Sequence, residues 1–440
     1  MRWKYHRNYH RNYHLLVAVI AATGVARSQE ILTLEGAQQI ARQNNAAIRL
    51  AESDLQIAQN NTTRGNAGFL PKVDATAGFG GSVTNTNQEY RTGEVVNRNG
   101  ATATNYNAGV GVSWTAFDGF RMFNAYDQLQ KRQELANAGL ESAIEEVAWR
   151  VAVAWYDVVR QQQQLRVLRQ SITMSEERLR WVEMKYEVGE NSKRELLPAK
   201  VDLNSDRSAA LRQEATLRNA KAALNLLLVR DPATEFTVPD TILLDQSLDE
   251  TVLRQEAIAA NRQLRAARIA RQLASLGVDE ARAGYYPRLG LNLGYNFTGS
   301  SAEASFINSN TSDGLTYGAT ASLNLFDGFN TSRQMENAQI EIQAAELQYQ
   351  DAERAVTSQL AQAFITWRSR LELVKLEREN VGIAEQSLGI AQERFNVGTI
   401  IPLELREAQT ALTEARSRLL AALYDAYRSQ VDLMRMSGRL

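Results

Sequence analysis

The fold is decided by a long stretch without proline, whose main part, residues 144–186, reads IEEVAWRVAVAWYDVVRQQQQLRVLRQSITMSEERLRWVEMKY. Apolar residues recur along it at alternating steps of three and four, the seam of helices that pack side by side and supercoil. Only Gln161 and Ser175 are polar on that seam. The other seam positions are Ile144, Val147, Val151, Ala154, Val158, Leu165, Leu168, Ile172, Leu179, Val182 and Tyr186. At 1.5 Å per residue, a helix over residues 121–187 is about 100 Å long.

The same plan occurs twice in the chain. A Phe-Asp-Gly-Phe motif at residues 117–120 precedes the first long stretch, and the same motif at residues 326–329 precedes a second one. This recurrence predicts an internal duplication. The first repeat is expected to span residues 29–229 and the second residues 251–440, with residues 230–250 as the linker between them.

Each repeat is predicted to contain a helix, a β-hairpin, a long helix and a helix that returns alongside it. The helix that precedes the first hairpin is expected to run over residues 31–66. The other elements are the hairpin 72–117, the long helix 121–187 and the return helix 193–228 in the first repeat, and the hairpin 288–326, the long helix 330–396 and the return helix 402–437 in the second.

The hairpin strands alternate apolar and polar residues with a period of two. Polar, Gly- and Asn-rich segments at residues 80–104 and 298–314 are predicted to be loops, and the last strand is expected to reach Leu325. Strands of about ten alternating residues are typical of membrane β-barrels. Since four strands cannot close a barrel, and lipid does not tolerate an open sheet edge, several chains are expected to share one barrel.

The N-terminus has the features of a secretory signal peptide. Basic residues precede an apolar run at residues 15–22, so we predict a signal peptide over residues 1–28, cleaved after Ala26 or Ser28. The run is too short for a membrane anchor, which needs about 20 residues. The leader contains five basic residues and no acidic one, so its removal changes the formal net charge from −1 to −6. A mildly acidic chain gives no electrostatic reason to expect nucleic-acid binding.

The composition excludes several kinds of catalytic and metal site. The chain contains no cysteine, and its three histidines, His6, His10 and His14, all lie in the predicted leader. Ser–His and Cys–His catalysis and most zinc or iron sites are therefore excluded for the mature chain. Carboxylate-only catalysis stays open, but no pair of acids is singled out for it. We predict no enzymatic activity and no cofactor.

Taken together, the motifs resemble the TolC family of outer-membrane efflux channels. They are the leader, the Gly-x-x-Pro stops at residues 68–71 and 284–287, the two Phe-Asp-Gly-Phe motifs, and Arg-Phe-Asn-Val-Gly at residues 394–398 before Leu-Glu-Leu-Arg-Glu-Ala-Gln at residues 403–409. The resemblance implies a homotrimer in the outer-membrane lipid of a Gram-negative cell. The implied fold class is membrane α+β, a duplicated coiled-coil α-barrel continuous with a twelve-stranded β-barrel to which each chain gives four strands.

The resemblance also implies a passive channel. Its helices would form a long periplasmic tunnel, opened at the inner end by a periplasmic adaptor (membrane fusion) protein and an inner-membrane RND or ABC transporter. Such a channel is the exit duct of a tripartite efflux or type I secretion system. The alternative is a structural periplasmic coiled-coil or adaptor protein without a conducting pore. An adaptor needs a lipoyl-like or β-barrel module between its helices, and no such block is visible.

The most specific functional hypothesis concerns Glu404 and Glu407. They follow Pro402 and lie three residues apart, on one face of a predicted helix. The residues alone suggest that they stabilise the helix start through its dipole, at a few tenths to about 1 kcal/mol each. By resemblance, acids at these positions ring the periplasmic entrance and set its preference for cations. Both interpretations stay open.

Glu195, Phe395 and Ile400 are assigned to the gate region by the same resemblance. An acid at the position of Glu195 can bond across to a tyrosine and hold the entrance closed. This chain has Phe395 at the tyrosine's position and Ile400 where the best-known member has an arginine, so that lock is not carried over. From the residues alone, Glu195 is the third residue of a capping box that begins at Ser192.

The remaining assigned residues are structural. We predict that an aspartate caps the start of each long helix beside a glycine turn, and that a proline stops the helix before each hairpin. These residues are Asp118, Gly119, Asp327, Gly328, Pro71 and Pro287. An aromatic stripe is interpreted as packing between helices; its members are Trp149, Trp155, Tyr156, Phe364 and Trp367.

Overall fold

A computed structural model describes residues 31–190, 192–240, 244–245, 247–305 and 307–440. The predicted signal peptide, residues 1–28, lies outside the described residues. In chain order the elements are α1 (Leu34–Asn44), α2 (Ala46–Asn61), β1 (Lys72–Glu89), β2 (Val95–Phe117), α3 (Arg121–Glu187), α4 (Lys193–Leu227), α5 (Glu250–Ala260), α6 (Arg262–Arg282), β3 (Arg288–Ala302), β4 (Ser309–Ser322), α7 (Asn330–Asn396) and α8 (Pro402–Ser437). Within these described segments, no helix is both long and apolar enough to cross a bilayer.

The long helices α3 and α7 each contain 67 residues, which makes each about 100 Å long. The apolar seam predicted for α3 is confirmed, because none of its residues is exposed. Val151, Val158 and Val182 on that seam are completely buried. α3 packs along α4 of its own repeat and along α6 and α8 of the other repeat. It therefore joins the two halves of the chain.

The largest hydrophobic core lies near the middle of the long helices. It combines residues of α1, α3, α4 and α8 with residues of the linker, where Phe236 is completely buried. The indole Nε1 of Trp155 donates a hydrogen bond to the Leu32 carbonyl at 2.9 Å, and the rings of Tyr156 and Tyr427 stack 3.4 Å apart. The packing role predicted for the aromatic stripe is confirmed, and its members on α7 lie in a second cluster with α5, α6 and α8.

The four strands form one antiparallel sheet in the order β1-β2-β3-β4. Its register aligns the apolar faces predicted for the separate strands: Val110 lies between Ala75 and Tyr295, and Tyr295 pairs with Leu315. This apolar face is open to the surroundings, since Val110, Tyr295 and Leu315 are each more than half exposed. The sheet thus presents one continuous apolar face that the described residues leave uncovered.

The loops predicted at residues 80–104 and 298–314 are wrong, because most of these residues are in strands. Residues 90–94 separate β1 from β2, and residues 303–308 lie between β3 and β4. Gly, Asn and Thr favour turns when a segment is judged alone, but pairing between neighbouring strands outweighs that preference. The hairpins are therefore longer, and their tips shorter, than the composition predicts.

The second hairpin also ends earlier than predicted. β4 stops at Ser322 and does not reach Leu325. The corresponding strand, β2, continues to Phe117 because β3 pairs with its last residues, as in the pair Trp114 and Leu291. In the described chain, the residues that follow Ser322 have no equivalent neighbouring strand.

The helix predicted over residues 31–66 is two helices that meet at Asn45. The Asn45 side chain caps α2 and also donates a hydrogen bond to the Leu227 carbonyl at 3.0 Å. Asn261 caps α6 in the same way and donates to the Met436 carbonyl, also at 3.0 Å. The two repeats therefore share individual side-chain contacts as well as the order of their elements.

The N-caps predicted for the long helices are displaced by two residues. Phe120 and Phe329, both in the left-handed conformation, occupy the cap positions of α3 and α7. Asp118 and Asp327 nevertheless accept hydrogen bonds from the first helical amides, for example from Met122 at 3.1 Å. The aspartates therefore satisfy amides that have no partner within the helix, from a position two residues before the cap.

The glycines and prolines assigned as structural occupy the turns between elements. Gly119 and Gly328 have φ angles of 75° and 67°, the left-handed region that residues without a Cβ adopt at little cost. Pro71 and Pro287 immediately precede β1 and β3. The amide that proline lacks therefore falls outside the sheet.

Candidate functional site at the distal helix ends

The gate residues assigned from the sequence lie at the ends of the helices that are farthest from the sheet. We call this region the distal end and define it as residues 171–207 and 383–411. Its two turns have the same form, because Gly189 and Gly398 end α3 and α7 with positive φ angles. The residue after each glycine bonds back to a carbonyl of the last helical turn, a common helix ending. These turns direct α4 back along α3 and α8 back along α7.

The structure brings Phe395 and Ile400 together in a small hydrophobic cluster, which we call the Phe395 cluster. Phe395 is only 1% exposed, and its ring centroid lies 4.2 Å from that of Trp181 on α3. Leu405 on α8 completes the cluster. An apolar contact thus joins α3, α7 and α8 where the resemblance would place a polar lock built on tyrosine.

Glu195 is not part of that cluster. Its carboxylate accepts a hydrogen bond from the Ser192 amide at 3.2 Å, which stabilises the first turn of α4. This contact is the carboxylate half of the capping box that the sequence suggests.

Glu404 and Glu407 are both exposed and lie on the same side of α8. Among the described residues, no hydrogen-bond donor or cation is paired with either carboxylate. The two acids share an open groove with residues of α7, and the groove also holds Arg394. Its other lining residues are Ile383, Gln386, Ser387, Ile390, Ala391, Ile400, Ala408 and Ala411.

Arg406 lies between the two acids in sequence but points to the opposite side of α8. Its guanidinium binds both carboxylate oxygens of Asp206 on α4, each at 2.8 Å. It also donates to the Ser175 hydroxyl on α3 at 3.2 Å. The side chains of Arg406 and Asp206 are 19% and 12% exposed. One arginine of the second repeat is therefore tied to two helices of the first.

The electrostatics of this pair follow from its hydrogen bonds. Burial alone would raise the pKa of Asp206, but the hydrogen bonds from Arg406 and Ser175 outweigh it, and the pKa lies below its ordinary value. The hydrogen bond to Asp206 raises the pKa of Arg406. Planar pairing of two N–H donors with two carboxylate oxygens is the strongest geometry available to such a pair.

Arg178 on α3 extends the network. It donates to Asp202 on α4 at 2.8 Å, and its side chain is only 1% exposed. The carboxylate of Asp202 also lies 3.8 Å from Arg406. We call Arg178, Asp202, Asp206 and Arg406, with Ser175, the distal polar network. It lies beside the Phe395 cluster and joins α3, α4 and α8.

The sequence contains one signal for this network, namely the polar residue Ser175 in the apolar seam of α3. Its hydroxyl donates to Asp206 at 2.5 Å. The other polar seam residue, Gln161, accepts a hydrogen bond from Gln213 on α4 at 2.8 Å. Both polar seam positions therefore mark polar contacts between α3 and α4. Periodicity alone does not identify Arg406, which is about 230 residues further along the chain.

The distal end contains contacts that hold α8 in place and an acidic surface on the opposite side of α8. The distal polar network and the Phe395 cluster hold α8 against α3 and α4, while Glu404 and Glu407 leave four carboxylate oxygens open on the other side. Such an arrangement resists separation of the pair α3 and α4 from the pair α7 and α8, and it attracts cations.

Comparison with known proteins gives consistent relationships. The family model described as outer membrane efflux protein matches residues 37–229 and 253–439, which is most of the chain. The outer membrane protein TolC of Vibrio cholerae is 22% identical over 408 residues, covering 91% of this chain and 89% of that protein. The proteases secretion protein PrtF of Dickeya chrysanthemi is 22% identical over 433 residues, covering 97% and 92%.

A solved structure shows the same fold. The CmeC outer membrane channel of Campylobacter jejuni superposes with a TM-score of 0.75 at 18% identity, and the match covers 92% of this chain and 85% of that one. The predicted fold class, a duplicated helical barrel continuous with a β-barrel, is therefore confirmed.

Proposed function

We propose that three copies of this chain, which belongs to the family of outer membrane efflux proteins, form one exit duct of an envelope-spanning export system. As in its family, the chain resides in the outer membrane, and its helices extend into the periplasm. The duct itself is passive. It serves a tripartite efflux or type I secretion system, in which an adaptor protein and an inner-membrane RND or ABC transporter open the distal end.

The proposal rests on two properties of the sheet, its exposed apolar face and its free edges. Most of its apolar residues lie on one exposed face, and within the described residues its outer strands β1 and β4 each have a free edge. Such a face is stable against lipid, but free edges are not tolerated there. Pairing of β4 with β1 of another copy removes both edges, and three copies supply the twelve strands of a closed barrel.

The helices support a tunnel that reaches across the periplasm. α3 and α7 are each about 100 Å long and run without a break from the sheet to the distal end. A purely structural coiled coil has no need for an exposed apolar sheet at one end. The sheet and the helices together fit a conduit that is anchored in one membrane and reaches toward a partner in the other.

The assembly and conductance of the purified mature protein test the proposal. In detergent, the native mass should be three times the chain mass, and unheated samples should migrate differently from heated ones. In planar bilayers the protein should give discrete, low-conductance steps, since the distal end is held closed. A monomer that retains the leader, or a trimer without any conductance, would contradict the proposed function.

The hairpin tips should face the cell exterior. They connect the spanning strands at the end opposite to the helices, and exposed tips tolerate insertion. An epitope inserted after Gly93, in the turn between β1 and β2, should be labelled on intact cells. The same epitope after Gly189, at the distal turn, is the matched control and should be labelled only after the outer membrane is permeabilised. Labelling of intact cells at Gly189 alone would reverse the topology.

A further inference from the structure

A cluster of charged side chains joins the two repeats at the level where α8 ends. It combines three acids of α3 with two arginines of α6 and one of α8. We call it the inter-repeat charge cluster, and its members are Glu141, Glu145, Glu146, Arg262, Arg265 and Arg435. The distal polar network holds the other end of α8, since Arg406 lies near its start and donates to Ser175 on α3. Polar contacts therefore tie α8 to α3 near both of its ends.

The arginines are shared unequally among the three acids. Glu141 accepts hydrogen bonds from both arginines of α6, at 2.7 and 2.6 Å. Glu146 accepts one from Arg435, also at 2.6 Å. Glu145 is left with a distance of 3.6 Å between its Oε2 and Arg262 Nε, which is too long for a hydrogen bond. The acid between the two paired ones thus has the weakest contact with a cation.

Glu145 is also the most buried of the three acids. Its side chain is 8% exposed, against 30% for Glu141 and 34% for Glu146. Its Oε1 is buried and has no hydrogen-bond partner among the described residues. Ionisation of a carboxyl group in such surroundings is costly, because no donor replaces the water that burial removes.

A cavity of about 210 Å³ adjoins Glu145. It is polar and large enough to hold water, which can exchange a proton with the carboxyl group. The charged groups that face Glu145 from α3, α6 and α8 are the other five members of the cluster. From α7, the described residues that line the cavity are the uncharged Val356 and Gln359. The cluster thus contains three acids and three arginines, and no further charge compensates Glu145.

Burial and the neighbouring charges act in opposite directions on Glu145. Burial outweighs the attraction of Arg262 and Arg435, so the pKa of Glu145 lies above its ordinary value of 4.5. The nearby Glu141 acts in the same direction as burial. The folded protein therefore binds this proton more tightly than the unfolded chain does. The stability of the folded state then falls as the pH rises from 4.5 through the raised pKa, and it recovers in acid.

The fold of a repeat does not require these charges. The two Phe-Asp-Gly-Phe motifs begin at residues 117 and 326, so equivalent residues of the long and return helices lie 209 positions apart. By this spacing, Glu145 corresponds to Arg354 on α7, and Arg435 corresponds to Leu226 on α4. The same helices therefore form without the cluster at the equivalent place, and the buried acid is specific to the contact between the two repeats.

We propose that Glu145 is a proton-sensitive contact between the repeats, which binds a proton in acid and then holds the end of α8 more firmly against α3 and α6. The proposal goes beyond the proposed function, because it needs only contacts within one chain. Ionised Glu145 is a buried charge without a matching donor, and opening of the contact lets water reach it. Protonation removes that charge and with it the gain from opening. In acid α8 is therefore held at both ends, whereas near neutral pH its end at Arg435 is held less firmly.

Amide hydrogen exchange of the purified protein in detergent tests the proposal, with each rate divided by the intrinsic rate at the same pH. In the parent protein, amides in the first two turns of α6 and the last two turns of α8 should be protected several-fold more at pH 4.5 than at pH 7.5. Glu145→Gln keeps the shape of the side chain but cannot ionise, so its protection at pH 7.5 should match that at pH 4.5. The matched control Glu177→Gln removes an exposed acid from the same helix and should keep the pH dependence of the parent.

The outcomes that would overturn the proposal are distinct. Equal protection of the parent at both pH values, or an unchanged pH dependence in Glu145→Gln, would show that this residue does not respond to protons. A gain in Glu145→Gln that is equal at both pH values would show better packing without a role for the proton. Amides in the first turns of α8, beside Arg406, should not respond to Glu145→Gln, and an equal change there would show a general effect on stability. These readouts need no conductance and no particular number of copies, so they do not depend on the proposed function.

Discussion

Replacing Arg406 with alanine should loosen the distal end and raise the conductance of the unstimulated channel. The substitution leaves Asp206 buried without its bidentate partner, and breaking a buried ion pair in this way costs about 3–5 kcal/mol. It also removes the contact between α8 and Ser175 on α3. We expect larger single-channel steps in planar bilayers and faster amide hydrogen exchange in the first turns of α8.

Arg416→Ala is the matched control for this substitution. Arg416 is on the same helix and contacts Gln170 and Glu385 through hydrogen bonds of similar length, but its partners are more exposed. Exposed pairs contribute about 0–1 kcal/mol, so conductance and exchange should stay near those of the parent protein. If Arg406→Ala and Arg416→Ala behave alike, the distal polar network does not hold the entrance closed.

The pH dependence separates this mechanism from a general loss of packing. In the parent protein the pKa of Asp206 is held below its ordinary value of 3.8, so its stabilising contribution is fully present above pH 4 and is lost only as the pH falls below that value. Without the hydrogen bonds from Arg406, we expect burial, the largest single influence on Asp206, to raise the pKa of its carboxyl group. The Arg406→Ala channel should therefore be more stable at pH 5 than at pH 7, whereas this group gives the parent no such gain.

The arrangement of long helices and strands could be predicted from the sequence because the periodicity of the apolar residues specifies both the type of element and its buried face. The seam through Val151, Val158 and Val182 specifies which face of α3 is buried, whatever helix covers it. Alternation in the strands likewise specifies the apolar face of the sheet. The equivalent motifs of the two repeats, such as Phe-Asp-Gly-Phe at residues 117–120 and 326–329, identify the duplication. The duplication also relates the hydrogen bond from Asn45 to Leu227 to the one from Asn261 to Met436.

The features that the sequence does not predict depend mostly on contacts between residues that are far apart along the chain. The strands extend through Gly- and Asn-rich residues because a neighbouring strand pairs with them, and composition contains no information about that neighbour. Arg406 resembles many other helical arginines until Asp206, 200 residues earlier, is brought beside it. Asp118 reaches past the cap position because two further residues, Gly119 and Phe120, have left-handed conformations.

Replacing both Glu404 and Glu407 with glutamine should reduce the cation selectivity of the channel. In the proposed trimer the two acids of each chain give six carboxylates around one mouth. Negative charges so close together attract cations. The reversal potential under a salt gradient should shift toward zero. Block by divalent cations should weaken about tenfold or more, since tenfold corresponds to only about 1.4 kcal/mol of binding free energy.

Folding should be nearly unchanged in this double variant, because the helix-dipole contribution that is lost is at most about 1 kcal/mol for each acid. Glu414→Gln is the matched control: Glu414 is an exposed acid on the same helix, outside the groove, and its removal should leave both electrical properties intact. The native mass must stay trimeric for the comparison to hold. If the double variant keeps the parent's reversal potential and divalent block, Glu404 and Glu407 only stabilise the start of α8. The charge that selects ions must then lie elsewhere along the tunnel.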